Sequence, residues 1–117
     1  AGGKRPLSSM SPIIVFDQND ELILTIGSPG GKAIIAYVFR VLVENLYNNI
    51  DLEKSIKNPN YLRIRGKTFL EEKSLKEGLI GDASIRNLTS GLAVIYKTKN
   101  GYFGVADTRR DGTVMGN

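Results

Sequence analysis

The chain has 117 residues, 41% of them hydrophobic, and a net charge of +4; that suffices for a modest core, and one domain over 1–117 is expected. The basic residues are scattered and the few aromatics do not interleave with them, which excludes a typical nucleic-acid surface. Cysteine and histidine are both absent, so disulfides, thiolate metal sites and every Ser-His or Cys-His dyad are excluded, and no cofactor or metal is expected.

Residues 1–12 are rich in Gly, Pro and Ser and read as an extended loop. Ile13 to Phe16 and Leu22 to Ile26 are β-branched apolar runs around Asp17-Gln18-Asn19-Asp20, which is turn chemistry, so a hairpin is predicted. Gly27 to Gly31 interrupts the second strand. Lys32 to about Asn48 predicts a helix that is apolar almost all round. Its polar residues Arg40, Glu44 and Asn48 fall on one stripe, and Arg40 and Glu44 are spaced to pair.

Asp51 is placed as the N-cap of a short helix, Leu52 to Lys57, which Pro59 stops. Tyr61 to Ile64 and Thr68 to Leu70 predict strands, and Leu75 to Ile80 a weak helix or a loop. Leu92 to Lys97 and Tyr102 to Ala106 flank Lys99-Asn100-Gly101, a strong hairpin signal. The sum is an α+β pattern. Both the first strands and the long helix carry more apolar surface than so small a body covers, so a companion layer or self-association through apolar faces is expected. No apolar run is long enough to span a membrane, and AGGKRPLSSM lacks the apolar middle of a secretory signal.

Two loops carry candidate chemistry. Gly27-Ser28-Pro29-Gly30-Gly31-Lys32 joins a strand to a helix, as phosphate loops do, but G-x-x-x-x-G-K-[ST] fails. Ile26 stands where the first Gly belongs, and Ala33 where the hydroxyl residue belongs. The Gly pair also permits backbone N–H groups to approach a substrate as an oxyanion hole; a plain strand-to-helix turn is the alternative. Ser8 and Ser9, beside Pro6, are suited to hold a carboxylate, or else to form a hydroxyl-capped turn into the strand.

Lys4-Arg5-Pro6-Leu7-Ser8-Ser9-Met10-Ser11-Pro12, followed by Gly27-Ser28-Pro29-Gly30-Gly31, closely resembles the γ-glutamyltransferase family, the glutathione hydrolases. The segment Gly104 to Gly112, GVADTRRDG, resembles the family's closing Gly-x-x-Asp-x-Arg-x-x-Gly pattern. DLEKSIKNPNY resembles a family helix and the Ala-Pro-Arg segment after it, with Asn58 and Asn60 replacing the Ala and Arg. The resemblance implies an N-terminal nucleophile hydrolase, an αββα sandwich cut from a precursor into large and small subunits. This chain would be the C-terminal part of the small subunit.

The resemblance further implies hydrolysis or transfer of the γ-glutamyl group of glutathione or a related amide, an acyltransferase chemistry. An N-terminal Thr would attack, with its own α-amine as base, so neither His nor Cys is needed. Ser8 and Ser9 would bind the α-carboxylate of the γ-glutamyl group, and Gly30 and Gly31 would supply the oxyanion hole. Gly27, Ser28 and Pro29 would shape that loop. Relatives in such a family are often periplasmic or extracellular.

The family's nucleophile lies several tens of residues before the Pro-Leu-Ser-Ser-Met motif. Only seven residues precede Ser8, and every Thr here (25, 68, 89, 98, 108 and 113) is internal. The isolated chain is therefore expected to lack the nucleophile and to be inactive, without the large subunit and the first part of the small subunit; a piece of a disrupted gene, a truncated chain and one polypeptide of a split enzyme are the alternatives. Two rival readings remain: a serine-lysine amidase using Lys4 as base, and a non-catalytic structural or carboxylate-binding remnant of the fold.

Overall fold

A computed structural model of the chain describes residues 2–77, 79 and 81–116. In chain order the strands and helices are β1 (Ile13–Phe16), β2 (Leu22–Gly27), α1 (Ile34–Leu42), α2 (Leu52–Lys57), β3 (Tyr61–Ile64), β4 (Lys67–Leu70), β5 (Ala83–Ile85), β6 (Ala93–Thr98) and β7 (Gly101–Ala106). They form a four-stranded antiparallel sheet, β1-β2-β6-β7, and a smaller sheet, β3-β4-β5. No helix among the described residues is long and apolar enough to cross a membrane.

Both predicted hairpins form. The β1–β2 turn is closed by Asp17, whose carboxylate accepts the N–H of Asn19 at 2.8 Å and of Glu21 at 2.9 Å. The backbone donors of Glu21 and Asn19 hold its carboxyl below the usual carboxylate range. In the second hairpin Thr98 pairs with Gly101 across the turn. Register sets which side chains meet. Ile13, Ile26, Val94 and Val105 form one cross-strand row, and Val15, Leu24, Tyr96 and Phe103 the next. Because side chains alternate along a strand, both rows face the same side.

That side receives α1. A 3-10 turn at Gly31–Ala33 leads into the helix, and a π-helical turn at Val43–Tyr47 ends it. Ile34, Tyr37, Val38 and Val41, spaced as one helical face, are buried against Leu24, Ile26, Leu92 and Val94. The all-round apolar helix thus divides its surface three ways. One face meets the sheet. The Arg40 stripe faces α2: Arg40 is buried, donates to both Glu44 oxygens at 3.0 Å and to Ser55 O at 2.7 Å. The third face, with Ile35 at 59% and Phe39 at 65% exposure, is open.

Asp51 caps α2 as predicted, accepting from the N–H groups of Glu53 and Lys54. β3 and β4 turn through Arg65 and Gly66, both at positive φ, as primed two-residue turns require. β5 has no period-2 apolar signature and was not expected; it is parallel to β4, so its partner and not its own sequence makes it a strand. The predicted weak helix or loop from Leu75 to Ile80 overlaps a 3-10 turn at Lys73–Lys76, and Gly78 and Ile80 lie outside the described residues.

Candidate functional site

Register also decides where the loops emerge. Ile13 at the start of β1 pairs with Ile26 near the end of β2, and Gly27 pairs with Ala93 at the start of β6. The segments 7–12, 27–31 and 88–92 therefore leave the sheet at one end. Ser8, Ser9, Gly30 and Gly31 line a single pocket there of about 570 Å³, with Leu7 and Ile34 as apolar wall. That volume is within the usual range for small-molecule sites.

The Gly side is tightly built. Gly30 has φ 142° and Gly31 φ 57°, conformations that side chains disfavour. A Cβ on Gly30 would lie 2.8 Å from Tyr37 Cε2, whereas one on Gly31 would meet nothing within 4 Å. Tyr37 is buried beneath the loop, and burial pushes its hydroxyl pKa up, so it stays neutral. Among the described residues the N–H groups of Gly30 and Gly31 have no acceptor. They lie at the start of the helix, where peptide dipoles favour negative charge. Such donors can stabilise a developing oxyanion.

The serine side is looser. Ser8 Oγ accepts the N–H of Met10 at 3.2 Å, so one hydroxyl already closes a local turn. Ser9 is half-buried, and its hydroxyl has no hydrogen-bond partner among the described residues. Ser11 Oγ is buried and unpartnered. Lys4 is exposed. A lysine base needs a desolvated ammonium, which an exposed position does not provide.

Behind the Gly loop is a buried polar network that the sequence did not disclose. Asn60 Nδ2 donates to Ser90 Oγ at 2.9 Å and to Leu88 O at 3.2 Å, and Ser90 Oγ donates to Asp107 Oδ2. Asn60, Ser90 and Asp107 are each 1% exposed or less. Arg109 binds Asp107, Glu71 Oε1 at 2.7 Å and the carbonyl of Ile56 at 2.9 Å. Burial alone would lower its pKa, but Glu71 and Asp107 hold it raised. The available signal was the Asp-x-Arg pair at Asp107 and Arg109, with Asn60 directly after Pro59.

Comparison with known proteins fits this arrangement. A family model described as gamma-glutamyltranspeptidase matches residues 1–117. The glutathione hydrolase proenzyme of Bacillus subtilis (strain 168) is 28% identical over 97% of this chain, which spans only 21% of that relative's length. The solved gamma-glutamyltranspeptidase of Pseudomonas nitroreducens, as its highly active W525D mutant, superposes with a TM-score of 0.81 at 25% identity. That match covers 100% of this chain and 66% of the other. The transpeptidase enzyme CapD of Bacillus anthracis shares the fold at a TM-score of 0.79 and 21% identity, over 99% of this chain and 75% of its own. The α+β architecture of paired hairpins on one long helix is thus part of the N-terminal nucleophile hydrolase fold. By its matching sequence and its fold, the chain belongs to the gamma-glutamyltranspeptidase family.

Proposed function

We propose that this chain supplies two walls of a γ-glutamyl-binding site, for hydrolysis or transfer of the γ-glutamyl group of glutathione or a related amide. Ser8 and Ser9 bind the α-carboxylate, and the N–H groups of Gly30 and Gly31 stabilise the oxyanion. The attacking group comes from residues outside these 117. The observation that carries this reading is the convergence of both loops on one pocket. The chemistry needs that geometry. A carboxylate ligand must be a few ångströms from the oxyanion donors so that one γ-glutamyl unit reaches both.

The same reading assigns a companion. Ile14 at 59%, Phe16 at 54% and Ile95 at 52% exposure leave the sheet partly uncovered, and Ile35 and Phe39 leave the helix open. A complementary polypeptide of the same enzyme covers these faces; self-association is the competing outcome.

The test is co-expression with a complementary segment of a family small subunit together with its large subunit, assayed on a γ-glutamyl anilide. Turnover that appears only in the combination, and is lost when Gly30 and Gly31 carry bulkier residues, supports the proposal. Full activity of the lone chain refutes it. A second reading, a structural or carboxylate-binding remnant, is favoured by the local use of the Ser8 hydroxyl. Under it, L-glutamate either binds without any recoverable turnover or does not bind at all.

A further inference from the structure

The Gly-rich loop is flanked on one side by the segment Leu88–Gly91, which no motif singled out. Gly91 N–H donates to Ser28 Oγ at 3.1 Å, and Ser28 Oγ donates to the carbonyl of Pro29 at 2.7 Å. Gly91 also packs flush on the Pro29 ring. A Cβ there would stand 2.8 Å from Pro29 Cγ and 3.1 Å from Arg110 Cδ. The segment itself is fixed at several points. Ser90 is tied to Asp107 and Asn60 in the interior, Leu88 O accepts from Asn60, and Arg110 Nε donates to Thr89 O at 2.9 Å. Leu92, the next residue, accepts the N–H of Asp107 on its carbonyl at 2.7 Å and donates its own N–H to Asp107 Oδ2 at 3.5 Å.

We infer that Leu88–Gly91 is a positioning element for the oxyanion donors, with Gly91 and Ser90 as positioning residues that act through Ser28 and Pro29. The inference rests on the reading of Gly30 and Gly31 given above. The physical case is one of degrees of freedom. Gly30 and Gly31 have the widest backbone freedom of any residue, and among the described residues their amides have no acceptor to hold them. An oxyanion hole works only if its donors are aimed before the charge develops. Tyr37 limits Gly30 from below. The orientation of the loop upstream must come from elsewhere, and the Gly91–Ser28–Pro29 clasp is the contact that supplies it. Gly at 91 is required because any side chain would wedge Pro29 away. Ser90 is required because its hydroxyl anchors the segment to the buried carboxylate.

The test uses the 117-residue chain and amide NMR. Ser28→Ala cuts the clasp, Gly91→Ala wedges it, and Ser28→Thr keeps the hydroxyl. In Ser28→Ala the Gly91 amide should exchange about tenfold faster, the loss expected for one hydrogen bond. The resonances of Gly30 and Gly31 should move in both Ala variants, with β6 and β7 amides unchanged, and Ser28→Thr should restore the wild-type pattern. Unchanged Gly30 and Gly31 resonances in both Ala variants overturn the inference. An L-glutamate titration separates the two claims. Wild-type chain without response at Ser8 and Ser9 counts against carboxylate binding by this chain alone, while the positioning role is still decided by the unliganded spectra. With a wild-type response, Ser28→Ala should keep the shift at Ser8 and Ser9 and lose it at Gly30 and Gly31; retention at all four overturns the inference.

Discussion

The two walls of the pocket are made differently. The Gly27–Gly31 wall is held by Tyr37 beneath it, by Gly91 beside it and, through Ser90, by a carboxylate that is 1% exposed. On the serine wall, Leu7 and Met10 are 87% and 77% exposed, and the side-chain hydrogen bond within Lys4–Pro12 is the local one between Ser8 and Met10. Among the described residues no side-chain hydrogen bond reaches from that segment to another part of the chain. Preorganisation thus resides on the glycine side, where, on the proposed reading, misaimed donors would cost rate. The serine side is left to be ordered by a bound ligand or a covering partner, at a cost in affinity.

The strongest way to break this contrast is Asp107→Ala. It leaves the buried Ser90 hydroxyl without its acceptor and strips Arg109 of one of its two carboxylates, which together should cost about 3 kcal/mol. The thermal midpoint should drop sharply, and the Gly30 and Gly31 amides should broaden before those of Ser8 and Ser9. Next is Gly30→Val in the reassembled enzyme. Its side chain meets Tyr37 and should swing the amide out of aim, which on the proposed reading predicts a fall in kcat of up to about 10²–10³ with little change in KM. Ser9→Ala should do the reverse. It removes a hydroxyl from the looser wall, so L-glutamate affinity should fall by about 1.5–3 kcal/mol, as for hydrogen bonds to a charged group, while chain stability stays within error.

Two smaller changes sharpen the contrast by leaving both walls alone. Asp51→Ala removes the α2 cap and should cost about 1 kcal/mol in denaturant melts, with the pocket amides unmoved. Asp17→Ala should act through pH only. A carboxyl lowered in the folded state stabilises above its ordinary value of 3.8, and that contribution is lost as pH falls through the lower folded value. The wild-type advantage over Asp17→Ala should therefore be present at neutral pH and vanish in strong acid.

Much of this was legible in the residues. The hairpins announce themselves by β-branched runs around Asp17–Asp20 and Lys99–Gly101, and the α2 cap by Asp51. The meeting of the two loops follows once β1 and β2 are antiparallel, because that pairing returns the chain to its starting end. What stayed hidden was long-range. β5 is a strand only beside β4. Arg40 reads as a solvent-facing helix residue, yet it is buried because Ser55, Asn60 and Glu44 surround it. Asn60 and Ser90 are 30 positions apart, and no local pattern reveals that they share a hydrogen bond.

One further consequence follows from the borders of the larger sheet. β1 carries a register irregularity between Val15 and Phe16, and irregular edges resist docking of a new strand. At the opposite border the tail folds back over the sheet's face, and Val114 sits so close over Gly104 that no side chain would fit between them. The β1 border is therefore a poor template for ladder growth, and the β7 border carries a tail across its face. Unwanted association of this chain should then stack broad apolar surfaces rather than lengthen sheets, giving amorphous clumps that dissolve on dilution instead of cross-β fibrils.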